Sequence, residues 1–395
     1  MDNFQGQILH TGHWDESADC KDKRIAVIGN GSSGIQAFGA LQKQAKEITH
    51  YIRSATWISI NYMSQFTRNA DGRNFAYTDE EKQAFLDPSK LYEYRRTMES
   101  ASNGIFKNLV FDETSPEVKK GFRANMERVM KERLRDDPSL INKLIPSYQP
   151  WCRRLTPGDG YLEALQEPNA RLVDDPIDTI TATGIRTKSG EEKDYDILVT
   201  ATGFVNTRVP PWKMIGRDGT DLADRFKEDA DGYLSLAAPA MPNYFSIGCG
   251  PNFTIANGPI LSAYGFITDY ILQWMKKIAE EDIHSVCVKD DIVEAYNIYI
   301  QQVLRRTAWN RECESWYKKG RKDEYRTGIT AIYPGSMMHF KSMLEKIRPE
   351  DFDIKYRSAN PFNFYGCGLT ALDMSSDQPD LSSYLADTMN LDTIL

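Results

Sequence analysis

Three glycines near the amino end have the spacing of a phosphate-binding turn. Gly29, Gly31 and Gly34 match the pattern GxGxxG and lie between an apolar run, residues 24–28, and a segment of helical periodicity. The first glycine of such a turn permits a tight bend, the second admits a pyrophosphate, and the third allows close helix–strand packing. A glycine turn without a ligand is the alternative. The candidate ligands of the dinucleotide phosphates, at a helix N-terminus, are Gly29, Gly31, Ser32, Ser33 and Gly34.

The end of the next predicted strand, residues 49–53, indicates which nicotinamide cofactor the turn would bind. An NAD site usually has Asp or Glu at this point, where the carboxylate binds the ribose hydroxyls. This chain has Arg53 followed by Ser54. A cation and a hydroxyl suit the 2′-phosphate of NADPH, so we expect NADPH. A solvent-exposed surface arginine is the alternative.

Two further cations, Arg153 and Arg154, precede a Pro-Gly turn. Adjacent arginines are commonly a solvated surface pair, so their type alone predicts no site.

A metal site is not expected, because His10 and His13 are the only neighbouring histidines and lack Cys or carboxylate partners. Neither zinc-site nor dithiol spacing occurs among the cysteines, which we expect to be reduced: Cys20, Cys152, Cys249, Cys287, Cys313 and Cys367.

Composition restricts the class of protein. The 395 residues include 48 Lys and Arg against 56 Asp and Glu, a formal net charge of -8 that disfavours nucleic acid as a partner. No apolar run approaches the ~20 residues of a membrane span, and the amino end lacks a signal-peptide pattern. We therefore expect a cytoplasmic protein of two or three domains without membrane contact.

Strand and helix patterns alternate around these residues, which predicts an α/β fold with a Rossmann-like NADPH-binding domain. A charged helical insertion interrupts it, and Ser115 with Pro116 is typical of a helix start there. Apolar and β-branched runs predict strands at residues 24–28, 49–53, 177–186, 195–202 and 244–247. Apolar residues at helical spacing predict long helices at residues 260–278 and 292–306.

The amino-terminal segment resembles the fingerprint of Baeyer-Villiger monooxygenases. Phe4, Gly6, His10 and Trp14, followed by Asp15, match FxGxxxHxxxW and then Pro or Asp. The chain looks most like fungal secondary-metabolite members, including those of aflatoxin- and sterigmatocystin-type pathways. The similarity continues through residues 151–161, 201–204, 250–252 and 313–317.

The resemblance implies an enzyme that uses FAD, NADPH and O2. In this family NADPH reduces the flavin, and the flavin peroxide converts a ketone into an ester or lactone; for this chain the expected ketone is a fungal polyketide intermediate. By its place in the motif, Arg154 would be the catalytic arginine that stabilises the negatively charged peroxide. Arg153 would hold the NADP phosphate together with Arg53.

The resemblance also assigns roles to residues outside the glycine turn. Trp316 would stack near the nicotinamide, Gly203 would let the backbone pass close to the flavin, and Asn252 would belong to a loop beside it. His10 would organise the connection between domains. A packed aromatic and a packed linker histidine are the alternatives for Trp316 and His10.

One departure from the family is large. The FAD-binding GxGxxG should precede the fingerprint, but 23 residues before Arg24 are too few for a strand–helix–strand unit. We therefore expect the C-terminal half of an FAD-type domain, with an exposed sheet edge or apolar face where a missing N-terminal half would bind. A flavin-free NADPH-binding protein with a regulatory role and a cofactor-free rearrangement catalyst are the alternatives.

The expected domains are a fingerprint linker 1–23, an NADPH domain 24–64 and 151–205, a helical insertion 65–150, the FAD-type part 206–372 and a tail 373–395.

Overall fold

The computed structural model describes residues 3–59, 63–70, 72, 75–110, 116–204, 208–228, 230–248, 250–255, 260–320 and 322–385. Its strands are β1 Gln7–His10, β2 Arg24–Ile28, β3 Glu47–Tyr51, β4 Ala170–Val173, β5 Ile177–Ile180, β6 Gly184–Thr187, β7 Glu192–Asp194, β8 Ile197–Thr200, β9 Thr254–Ile255, β10 Ile283–Val288, β11 Ile332–Tyr333 and β12 Phe352–Tyr356. Its helices are α1 Ser32–Leu41, α2 Asp79–Ala84, α3 Pro88–Val110, α4 Pro116–Arg133, α5 Pro138–Leu144, α6 Tyr161–Ala164, α7 Leu222–Arg225, α8 Ile260–Glu280, α9 Asp290–Arg305 and α10 Met337–Leu344. None of the helices formed by these residues is long and apolar enough to cross a membrane.

A parallel sheet forms the centre of the first part of the chain and confirms the α/β class. Its strand order is β1-β8-β2-β3-β4, and every neighbouring pair is parallel. The central strand β2 has no exposed face, since Ile25, Ala26 and Val27 are all fully buried. Buried parallel strands are typically such uninterrupted apolar runs, which is why this segment could be predicted.

The two faces of this sheet are covered by different layers. Ile25 and Val27 pack with the helices α1, α4 and α6. Ala26 points to the opposite face, where the antiparallel sheet β5-β6-β7 contributes Ile185. Because side chains alternate along a strand, one five-residue strand supplies both cores.

The segment 1–23 was expected to be a linker, but it contributes β1, which lies at the sheet edge in register with β8. Sequence patterns do not reveal this pairing because the two strands are far apart in the chain. In the predicted insertion, α2 to α5 lie between residues 79 and 144, and α4 begins at Pro116 as expected. Ser115, its predicted cap, lies outside the described residues.

The second part of the chain packs around α8, α9 and α10. Trp274 of α8, Ile300 of α9 and Phe340 of α10 belong to one buried cluster, which also contains residues of β10 and β12. Both long helices were predicted to within two residues. The parallel pair β9 and β11 is only two residues long on each side.

The strand predicted at residues 244–247 is wrong. The segment is an irregular loop in which the Ser246 amide donates to the Leu236 carbonyl, and Ile247 is half exposed. With no neighbouring ladder and one apolar side chain in solvent, nothing holds it as a strand. The predicted strand 177–186 is instead the hairpin of β5 and β6.

Candidate functional site

The glycine turn lies where β2 meets α1. Gly29 has a φ of +104°, and a Cβ there would lie 2.6 Å from the Ala201 carbonyl oxygen. A Cβ on Gly34 would lie 1.8 Å from the Gly29 carbonyl oxygen, so only glycine permits this approach of α1. Gly31 is the N-cap of α1 in an extended conformation, no side chain caps the helix, and its Cβ direction is open space. The first N–H groups of α1 are thus available to an anion.

This turn is at a topological switch point of the sheet. The chain runs from β2 to β3 and β4 on one side, and returns to place β8 on the other side of β2. Ligands of open α/β sheets bind outside the carboxyl ends of strands at such a point. Gly203, with a φ of +92°, follows β8 at this same edge, three residues after Thr200.

Two other segments meet the glycine turn. The Asn30 amide donates to the Ser54 carbonyl at 2.6 Å and to Thr56 Oγ1 at 3.1 Å. The Ser32 hydroxyl lies 3.3 Å from that of Thr156. Residues near the ends of β3 and of the Arg153-Arg154 motif are therefore fixed beside the phosphate turn.

Arg153 and Ser54 lie together, as the 2′-phosphate prediction requires. The Arg153 guanidinium donates to the Ala55 carbonyl, approaches Ser54 Oγ at 3.4 Å and donates to the Tyr148 hydroxyl at 2.5 Å. It also lies 4.7 Å from the Tyr148 ring centroid. Arg53 projects into solvent, with its side chain 86% exposed, and is 3.4 Å from Glu314. Exposed pairs of this kind are weak, so a phosphate can displace the carboxylate.

Arg154 is exposed and forms no ion pair with any residue in the described ranges. Its positive charge partly opposes the rise that burial causes in the pKa of the Tyr317 phenol, which indicates that the two side chains are near each other. Trp316 is 40% exposed, and its ring centroid is 4.6 Å from that of Tyr317. Arg154 and Trp316 are thus both exposed residues that neighbour the buried Tyr317.

A disulfide joins the two motifs that carry Arg154 and Trp316. Cys152 and Cys313 are bonded across a sequence separation of 161 residues, so the expectation that all cysteines are reduced is wrong for this pair. Their spacing resembles no motif, because only the tertiary fold brings them together. Cys20, Cys287 and Cys367 are free. Lys318 lies beside the bridge, and burial lowers the pKa of its ammonium to about 8.

The fingerprint residues form the end of the sheet near β1. Phe4 is buried, and Gly6 packs under its ring, where a Cβ would lie 2.6 Å from ring carbons. His10 accepts from the Gly12 amide at 3.0 Å and meets the Phe204 ring edge-on at 5.9 Å between centroids. It thus connects the ends of β1 and β8, while Trp14 is 39% exposed.

Asn252 is buried among loops of the second part of the chain. Its amide donates to the Ile329 and Ile332 carbonyls at 3.1 and 3.0 Å, and its own N–H bonds to Thr330, whose N–H bonds to Tyr317. The side chain therefore holds two loops of the second part together. Any contact of Asn252 with a cofactor stays a prediction.

Comparisons with known proteins place the chain in a family. It is 43% identical over 386 residues to FAD-binding monooxygenase tazF of Aspergillus terreus, covering 98% of this chain and 68% of the relative. It is 32% identical to FAD-binding monooxygenase stcW of Emericella nidulans, covering 97% and 62%, and 30% identical to a Baeyer-Villiger monooxygenase of Pseudomonas aeruginosa, covering 80% and 58%. The chain belongs to the FAD-binding monooxygenase family, and the resemblance to its Baeyer-Villiger members is confirmed.

Solved structures show the same fold. Cyclohexanone monooxygenase from Rhodococcus sp. Phi1 bound to NADP+ superposes with a TM-score of 0.73 at 20% identity, covering 90% of this chain and 71% of that chain. Oxidized steroid monooxygenase bound to NADP gives 0.69 at 22%, with the same coverage. No family model matches the sequence. The chain spans 58% to 68% of the length of the three curated relatives named above.

The residues present fit NADP better than FAD. The uncapped α1, the open space at Gly31 and the cations Arg53 and Arg153 suit a phosphorylated dinucleotide. A second strand–glycine turn–helix is absent from the described residues, and Gly366 and Gly368 lie in an exposed loop. The adenosine diphosphate of FAD therefore has no comparable cradle in the described part of the chain.

Sequence reasoning missed several residues that shape this site. Tyr148 and Thr56 hold Arg153, Glu314 faces Arg53, and the bonded Cys152 and Cys313 join the motifs. The sequence contained one usable signal for the disulfide. Cys152 and Cys313 both lie within the segments of family similarity, residues 151–161 and 313–317. The other contacts have no local signature.

Proposed function

We propose that this chain is the NADPH-binding portion, with part of the flavin domain, of a Baeyer-Villiger monooxygenase that converts a ketone into an ester or lactone with NADPH, FAD and O2. The observation that carries the proposal is the meeting of three segments at the β2–β8 switch point. The glycine turn, the Ser54–Thr56 segment and the Arg153-Arg154 motif are joined by direct hydrogen bonds. A fungal polyketide ketone is the proposed substrate class.

In this proposal each of the chain's own groups has a defined task. The N–H groups of α1 and the space at Gly31 bind the pyrophosphate, and Arg53, Ser54 and Arg153 bind the 2′-phosphate. Arg154 is the catalytic cation by its place in the motif that resembles the family, and it is available for this role because it is exposed and has no carboxylate partner among the described residues. A fixed charge of this kind stabilises negative charge that develops on reacting oxygens.

The oxygen chemistry of the family is supplied by FAD, for which we propose a further polypeptide segment as partner. Strands β9 and β11 form a parallel pair that is only two residues long on each side. Parallel strands normally belong to a sheet that other elements cover on both faces. The exposed apolar side chains Ile247, Ile260 and Leu261 lie in the same part of the chain. A strand-bearing FAD-binding half that adds to this sheet accounts for both features, and the greater length of the relatives supports it.

NADPH binding is tested first, on the chain as it exists. We expect calorimetry to show NADPH binding by the wild-type chain, and a loss of at least about ten-fold in affinity in Gly31→Ala, because a methyl group enters the open approach to the pyrophosphate. Gly39→Ala is the matched control in the same helix, since its Cβ would meet nothing closer than 3.9 Å. Equal affinity in both variants would contradict the assignment of the turn.

The oxygenase part is tested with flavin. We expect the purified chain to be colourless and to gain no flavin absorbance on addition of FAD. A polypeptide extended to the length of the relatives should retain FAD and consume O2 with NADPH when a ketone is present. An extended protein that binds NADPH but never flavin would instead support the flavin-free, regulatory alternative.

A further inference from the structure

A buried histidine contacts the glycine turn from inside the protein. His50, the fourth residue of β3, is completely buried, and its Nε2 lies 3.0 Å from the Gly29 carbonyl oxygen. Because the carbonyl oxygen can only accept, Nε2 carries the proton. The Gly29 carbonyl is therefore directed into the core, away from the side of the turn where α1 exposes its N–H groups.

The other ring nitrogen fixes this tautomer. Nδ1 of His50 lies 3.0 Å from the hydroxyl of the buried Tyr161, so the neutral ring accepts there and the hydroxyl donates. Phe38 of α1 stacks on the imidazole with 5.0 Å between centroids and an angle of 17° between the ring planes. The imidazole thus has a partner at each nitrogen and on one face, and it has one orientation.

We propose that His50 is a positioning residue for the pyrophosphate turn, which keeps the Gly29–Asn30 peptide oriented for phosphate binding. Gly29, at φ +104°, is free to change conformation, since glycine has no Cβ to prevent a peptide rotation. If the carbonyl turned outward, its negative end would face the phosphates and repel them. The hydrogen bond from Nε2 opposes this rotation. The proposal rests on NADPH as the ligand of the turn.

The test compares variants of His50 that differ in the hydrogen-bond donor they present to the Gly29 carbonyl. His50→Leu removes the donor, whereas His50→Gln places an amide N–H near the position of Nε2. Leu41→Ala is the control, because it loosens the same core cluster at the far end of α1 and leaves the hydrogen bond. We expect NADPH affinity, measured by calorimetry, to fall about ten-fold in His50→Leu, to recover substantially in His50→Gln and to stay unchanged in Leu41→Ala.

A second ligand separates positioning from general loosening. Adenosine 2′-monophosphate carries the 2′-phosphate but no phosphate on its 5′ oxygen, so its affinity should be the same in His50→Leu and in the wild type. Equal loss for both ligands, or a fall in Leu41→Ala as large as in His50→Leu, would overturn the proposal. Undiminished NADPH binding by folded His50→Leu would also overturn it, without affecting the proposed function. Failure of the wild-type chain to bind NADPH would overturn both.

Discussion

We expect acid to lower the free energy of unfolding of this chain through the protonation of His50. Burial lowers the pKa of His50 from its ordinary value of 6.5 to about 4, although its hydrogen bond to Gly29 opposes that shift. The unfolded chain therefore binds more protons than the folded chain between these two pKa values. Stability from this group is present above pH 6.5 and is lost as the pH falls toward 4.

The size of this effect follows from the two pKa values. A change from 6.5 to about 4 corresponds to about 3 kcal/mol of unfolding free energy in total. About 2 kcal/mol of this would be lost between ~pH 7 and ~pH 5, where the unfolded imidazole is protonated and the buried one is still neutral. Protonation would also remove the acceptor at Nδ1 for the Tyr161 hydroxyl.

Urea unfolding at a series of pH values measures this difference. His50→Gln is the matched variant, because glutamine does not titrate and keeps an N–H near Gly29. We expect the unfolding free energy of the wild type to fall more steeply with acid than that of the variant, by about 2 kcal/mol over this range. Superimposed pH profiles would refute the reasoning, because they would mean that His50 has the same pKa in the folded and unfolded states.

Three other expectations concern the site. Arg53→Ala should weaken NADPH binding about ten-fold while leaving NADH binding unchanged, since only NADPH has the 2′-phosphate; equal effects on both cofactors in calorimetry would contradict the assignment. Arg154→Ala in the extended, flavin-containing protein should still oxidise NADPH but form at least about 100-fold less ester, and an unchanged ester yield by chromatography would remove its catalytic role. Peptide mapping without reductant should recover Cys152 linked to Cys313, and Cys313→Ser should lower the unfolding free energy by about 3 kcal/mol. Recovery of both cysteines as alkylated free thiols would exclude the bridge.

The disulfide constrains the chain segment that carries Glu314, the ion-pair partner of Arg53. Glu314 follows the bonded Cys313 directly, and Arg153 follows the bonded Cys152. The bridge therefore restricts how far the carboxylate can move from the cations of the proposed 2′-phosphate site. The affinity of Cys313→Ser for NADPH would show whether this restriction affects binding.

The sequence alone determined those features whose cause lies within a few residues. The apolar run of β2, the glycines after it and the periodicity of α1 define a strand–turn–helix because each requirement is local: burial on both faces, a positive φ at Gly29 and close approach at Gly34. Pro116 marks the start of α4, and the spacing of apolar residues gave α8 and α9, for the same reason.

Tertiary structure decided the features that join distant segments. β1 became a sheet strand only through its register with β8, and residues 244–247 failed to form a strand because no partner ladder lies beside them. The bond between Cys152 and Cys313 and the contact of His50 with Gly29 likewise depend on where the backbone returns in space. Such contacts leave no periodic or spacing signal in the chain, because the free energy that selects them comes from burial and pairing across the whole fold.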